Sequence, residues 1–227
     1  MMKRGAFILL IVLLCFNASA ISSNLKDSYE KKETAIVEFS GTILTNIPRE
    51  NVELLRDAHI QTAFEYDVKK IGSKYYIWFI SPANQGDYTL SVKDILTNEG
   101  GSQKLVNYEK QFNVSENETD YSIRPGVIFA SEDFSIFAEL YNGAEKSISL
   151  SFPNSREFVL EQGTNRIDFS IKDVVGTQIV NIGVGKYSVP AYVIGKTAMN
   201  STSVNNTSNF TNSSVNSNLT NGTGNNF

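Results

Sequence analysis

His59 is the only histidine among the 227 residues, so a serine–histidine–acid site would have to be built on it. No G-x-S-x-G turn is present to offer it a nucleophile. Imidazole-based metal sites need more than one histidine. The only cysteine, Cys15, sits in an N-terminal apolar run. Once that run is removed, no thiol remains for nucleophilic attack, metal ligation or cross-linking. Glu132-Asp133 and the group Glu116, Glu118 and Asp120 offer the oxygen ligands that Ca²⁺ takes, but without EF-hand spacing. Gly183-Val184-Gly185-Lys186 has the composition of a phosphate loop and lacks its strand–loop–helix setting. The chain is therefore expected to be no enzyme, with no catalytic residue, no metal site and no cofactor.

Two other kinds of chemistry stand out. Tyr75, Tyr76 and Trp78 are close-spaced aromatics that would form a sugar-binding platform if they faced water; in a dense apolar stretch such rings more often form core. The second is N-glycosylation. Seven N-x-[S/T] sequons fall at Asn200, Asn205, Asn206, Asn209, Asn212, Asn218 and Asn221, and Asn113 and Asn117 add two more. A tract of Asn, Ser and Thr generates sequons by composition alone, so a glycosylated stalk and a plain polar linker both fit.

Residues 1–20 have the three parts of a secretory leader: basic Lys3 and Arg4, the apolar run Ala6–Phe16, and the small-x-small site Ala18-Ser19-Ala20 with cleavage after Ala20. The run is shorter than the roughly 20 residues that span a bilayer. Loss of Lys3 and Arg4 leaves 18 basic side chains against 24 acidic ones, a net charge of about −6. An acidic chain with scattered lysines gives no case for nucleic acid as a partner. Export without disulfides suits a microbial surface protein with full-sized cores. After Lys196 no charged residue follows, and residues 196–227 are expected to be disordered. The sequence ends at Phe227 without a hydrophobic anchor, which leaves both release and continuation in a longer protein open.

The rest of the chain must position whatever function there is, and its pattern is all β. Lys74–Asp94 is the densest signal: Tyr75–Ile80 is apolar throughout, Asn84-Gln85-Gly86-Asp87 supplies turn residues, and Tyr88, Leu90 and Val92 then alternate with polar positions. It reads as a hairpin, with a bulge or a strand end at Asp94-Ile95. Ala35–Leu44 and Ile60–Val68 read as further strands, and Thr97–Ser102 as a loop. Later, Phe134–Leu140, Ile148–Phe152, Ile167–Ile171, Ile179–Val184 and Tyr187–Ile194 have strand patterns, with Asn142-Gly143 and Gln162–Asn165 as turns. Short strands separated by turn residues predict two tandem immunoglobulin-like β-sandwiches. The expected division is a leader peptide at 1–20, a polar segment at 21–34, a first sandwich at 35–114, a linker at 115–121, a second sandwich at 122–195 and the tail at 196–227.

Gly41, Val52/Leu54, Gly72 with Tyr75/Tyr76, and Gly86-Tyr88-Leu90-Val92 follow one another as in the carboxypeptidase-regulatory-like (transthyretin-like) β-sandwich, which the first module resembles. The second resembles the immunoglobulin-like adhesion modules of archaeal and bacterial surface proteins. Such modules act as spacers, binding surfaces or stabilising domains. The resemblance implies a non-catalytic, exported structural or adhesive protein whose partners are envelope proteins or surface glycans, without a stable membrane span after leader removal. The alternatives are an extracellular carbohydrate- or peptide-binding module, and an accessory part of a secreted hydrolase.

Overall fold

A computed structural model describes residues 21–99 and 101–196. The expected leader peptide and the sequons from Asn200 onward lie outside these residues. Strand formation begins earlier than expected. β1 (Ile21–Ser23), β2 (Ser28–Lys31) and β3 (Thr34–Gly41) occupy most of what reads as a polar segment. Ile21, Leu25 and Tyr29 are the anchors, all buried, while the charged residues between them face water. Their four-residue spacing is that of a helix face, yet three separate pieces of backbone contribute one side chain each.

β4 (Val52–Arg56), β5 (Ile60–Gln61), β6 (Tyr66–Ile71), β7 (Lys74–Ile80), β8 (Gly86–Glu99) and β9 (Ser102–Glu118) complete the first sandwich. Its sheets have the orders β1-β3-β7-β6 and β2-β9-β8-β4-β5, with β2 and β9 parallel. Lettered as A-B-E-D and A′-G-F-C-C′, these are immunoglobulin-type sheets. β7 and β8 thus belong to opposite sheets, and Lys74–Asp94 is not a hairpin but a crossover through residues 81–85. A Pro/Asn/Gly turn reverses the chain; it does not specify which sheet receives it. Tyr88 fixes that corner, its hydroxyl donating to Asn84 O at 3.0 Å, as in the tyrosine corner of immunoglobulin domains. Leu90 stands two residues on, where those domains carry a disulfide cysteine, and is fully buried. The slip at Asp94 is a bulge: Asp94 has φ 53° and the β8–β9 register shifts between Val92 and Ile95.

The second sandwich comprises β10 (Tyr121–Arg124), β11 (Ile128–Ala130), β12 (Phe134–Leu150), β13 (Arg156–Phe169), β14 (Thr177–Val184) and β15 (Tyr187–Ile194). β9 runs to Glu118, so only Thr119 and Asp120 separate the last strand of one sandwich from the first of the next, in place of the seven-residue linker. Asn142-Gly143 is not a hairpin and Gln162–Asn165 is not a turn. β12 and β13 run through both sites as one long antiparallel pair, whose register jumps between Leu140 and Glu145. Gly143 at φ 93° and Gly163 at φ 91° let this ribbon bend. Its near half pairs with β10, and its far end meets β14 at Leu150–Val184. A single bent ribbon therefore closes both sides over one core, whose buried members include Ile136, Leu150, Leu160, Ile167, Ile182 and Val189. The first sandwich has its own core, including Phe39, Leu54, Phe79, Tyr88, Leu90 and Phe112.

Candidate functional site

The aromatic row does not form a platform. Tyr75 and Trp78 are 2% and 5% exposed; only Tyr76 is half-exposed. On β7, Tyr75, Ile77 and Phe79 point into the first core, and Trp78 points the other way, against the second sandwich. There it forms a third apolar cluster with Ile71 and Val127, with Ile36, Tyr76, Ile80 and Tyr192 packed on it. Solvent is excluded from this face because a second sandwich covers it, which no pattern within β7 reveals.

Close approach at this seam depends on Gly126. A Cβ added there would stand 2.6 Å from Trp78 Cβ and 2.9 Å from Trp78 Cγ, well inside contact distance. Beside it, Thr34 Oγ1 donates to Ile123 O at 2.8 Å and accepts from Ile123 N at 2.7 Å, both bonds buried. This side chain takes the place of a backbone ladder pair between β3 and β10. Thr119 N donates to Lys31 O at 3.0 Å. Trp78 Nε1–H is buried and finds no acceptor, so the indole is held by packing alone and forgoes a hydrogen bond worth about 1 kcal/mol.

Charged pairs ring the seam. Lys32 Nζ lies 2.6 Å from Glu118 and 4.6 Å from the centre of the Tyr141 ring. Its hydrogen bond to Glu118 pushes the Lys32 pKa up. Lys186 Nζ donates to Thr119 Oγ1 at 2.7 Å and lies 3.3 Å from Glu30. These pairs are well exposed, and each contributes only about 0–1 kcal/mol.

A polar cleft of about 380 Å³ opens beside the seam. Tyr76, Lys74 and Glu38 line one wall, and Asn181 and Ser188 the other. Lys74 Nζ bonds Glu38 Oε1 at 2.8 Å, and Tyr76 donates to Glu38 Oε2 at 3.3 Å. The hydrogen bond to Lys74 holds Glu38 below its ordinary range, and burial raises the Tyr76 pKa. A carboxylate neutralised by its neighbours in this way is suited to hydrogen bonding, not to proton transfer.

The other singled-out residues are scattered. His59 is exposed on the β4–β5 turn. Asp120 pairs with Lys146 at 2.6 Å, far in role from any joint Ca²⁺ site with Glu116. Among the described residues no three His, Cys, Asp or Glu side chains group to hold a metal, and no helix is long and apolar enough to cross a membrane. Asn113 and Asn117 are exposed on β9. Asn113 Nδ2 donates to Asp87 Oδ1 at 2.9 Å, and Thr119, which completes the Asn117 sequon, is fully buried in the seam. Sequence reasoning missed Thr34, Thr119 and Gly126, and met Lys186 only as part of a phosphate-loop-like run. Gly86-Asp87-Tyr88 and Gly185-Lys186-Tyr187 echo each other in the sequence, and each carries a tyrosine that is buried near the start of a strand.

No family model matches the chain, and no curated protein matches it. Among solved structures, the I9–I11 tandem of titin is similar at 9% identity over 78% of this chain and 66% of that one, with a TM-score of 0.26. The tandem Ig repeats of Dlar are similar at 12% identity over 78% of this chain and 98% of that one, with a TM-score of 0.26. The chain is built of two tandem immunoglobulin-like sandwiches. That assignment rests on its strand orders and its tyrosine corner.

Proposed function

We propose that this is a non-catalytic, exported cell-surface or envelope protein in which two sandwiches joined as one stiff piece stand on a sequon-rich, glycosylated stalk. The observation that carries the reading is the seam. Trp78 against Gly126 and the buried Thr34–Ile123 pair lock adjacent sandwiches with two residues between them, the geometry of a spacer or adhesive arm that must hold its length. The leader-like residues 1–20 and the run of sequons from Asn200 to Asn221 support an extracytoplasmic place. The Asn/Ser/Thr-rich tail, which resembles the glycosylated stalks of archaeal envelope proteins, favours an envelope of archaeal type within this reading. Gly86-Tyr88-Leu90-Val92, on which the carboxypeptidase-regulatory-like resemblance leaned, is better explained as a tyrosine corner. The cleft beside Tyr76 favours a second reading, an extracellular binding module for carbohydrate or peptide. Intact mass of the protein from its native envelope tests the first reading. Loss of residues 1–20 with sugar mapped to Asn200–Asn221 is expected; an unprocessed, unmodified chain would contradict it.

A further inference from the structure

A stiff spacer has no need of a lined pocket, yet the far end of the second sandwich has one of about 490 Å³, within the range of small-ligand sites. It exists because β13 bends at Gly163. The two ends of this strand come together, and Arg156 Nη2 donates to Asp168 O, 12 residues away, at 2.7 Å. The Arg156 guanidinium also lies over the Phe169 ring, 6.0 Å from its centre. Arg166 is fixed by a different route. Its Nε donates to Asp168 Oδ1 at 2.8 Å and to Ser135 Oγ at 3.1 Å.

Both guanidinium groups are thus positioned through one nitrogen each, and their remaining N–H groups have no protein partner among the described residues. One oxygen of each nearby carboxylate is already engaged. Asp168 Oδ1 also takes a bond from Ser135 at 2.6 Å, and Asp133 Oδ1 takes bonds from Ser170 Oγ at 3.0 Å and Ile171 N at 2.9 Å. These bonds hold both carboxyls below their ordinary range, and the ionised Asp168 carboxylate holds Arg166 in place. The lining holds two cations, Arg156 and Arg166, against two carboxylates, Asp133 and Asp168, and Lys172 lies 4.0 Å from Asp133 just outside it. Pro153 and half-buried Phe134 add an apolar wall.

Unspent planar donors in a fixed array suit a planar or tetrahedral oxyanion, and an apolar wall beside them suits the C–H face of a sugar ring. We propose that this pocket binds an acidic saccharide residue, its carboxylate or sulfate held by the forks of Arg156 and Arg166 and its ring set against Phe134 and Pro153. An acidic peptide fits less well. Extended peptides add to a strand edge or fill a groove, and the β13 edge at the bend is closed by Asn165, which accepts from Glu161 N at 2.9 Å and donates to Glu161 O at 2.7 Å.

The test is an amide NMR titration of the full chain with trigalacturonate and with a sulfated chondroitin tetrasaccharide, using maltotriose and hexaglutamate as comparators. Saturable shifts at Ser135, Ser170 and Arg166 are expected with at least one charged saccharide, and which one responds assigns carboxylate or sulfate. Arg166→Gln should weaken binding at least about tenfold with an unchanged melting temperature, and Arg156→Gln should do the same. Lys69→Gln, on the first sandwich, should leave binding unchanged. No saturation by either charged saccharide, an equal response to maltotriose or hexaglutamate, or indifference to both arginine variants would overturn the proposal. Because the pocket lies wholly within the second sandwich, such a failure leaves the seam and the spacer reading untouched.

Discussion

The two sandwiches close their cores by different means. In the first, the two sheets share no ladder, and aromatic rings bridge them. Tyr29, Phe79, Phe112 and Tyr88 form a contact chain with ring centres 5.4–6.0 Å apart. In the second, the bent β12–β13 ribbon carries backbone pairing from one side to the other, and the core between is mostly aliphatic, down to Ala138 and Ala191 at full burial. Where hydrogen-bonded backbone turns the corner, small side chains suffice to fill the space; where it does not, large rings must span it. The first sandwich should therefore be sensitive to ring loss and the second to the backbone at its bend.

The largest effect is expected at the seam that joins them. Trp78→Ala should cost about 3 kcal/mol or more and split one thermal transition into two, read by calorimetry, because the sandwiches would then melt on their own terms. Next, Gly143→Ala and Gly163→Ala should each cost about 1–3 kcal/mol, confined to the second transition once the seam is broken. An equal loss in both transitions would erase the contrast. The opening tyrosines sharpen it further. Tyr88→Phe loses a bond within one corner, whereas Tyr187→Phe loses the bond to Tyr121 O at 2.8 Å, which ties two strands; each should cost about 1 kcal/mol in denaturant melts.

Burial pushes the Tyr29 pKa up to about 12 and raises that of Tyr187 also. The folded state holds these protons more tightly than the unfolded chain, where tyrosine titrates near 10. Stability is therefore unaffected below pH 10 and falls between about pH 10 and 12. Tyrosinate absorbance should show these residues ionising together with unfolding. The smallest effect is expected for Lys32→Ala, an exposed pair with Glu118, at under about 1 kcal/mol.

Much of this architecture was legible in the residues. Alternation placed Ile148 and Leu150 inward against Ser147 and Ser149, and Tyr88, Leu90 and Val92 inward on β8. What could not be read was set by partners distant in sequence. Tyr75–Ile80 is apolar at every position, so alternation could not assign Trp78 to a face; Gly126 decides that. Asn142-Gly143 satisfies the requirements of a tight turn and of a bend equally, and only the opposing Gly163 selects the bend. Ile21, Leu25 and Tyr29 look stray until β3 and β9 are beside them. The candidate site was the least legible part, because a seam is a property of two surfaces and the sequence pattern reports one strand at a time.

The stiffness of the seam can be measured directly. The described chain has no cysteine, so spin labels can be placed at Asn98→Cys on the first sandwich and Thr164→Cys on the second, both exposed, and the distance distribution recorded by pulsed electron resonance. One narrow distribution that broadens in the Trp78→Ala background is the predicted result. A broad distribution with Trp78 in place would contradict a rigid junction and, with it, the spacer role.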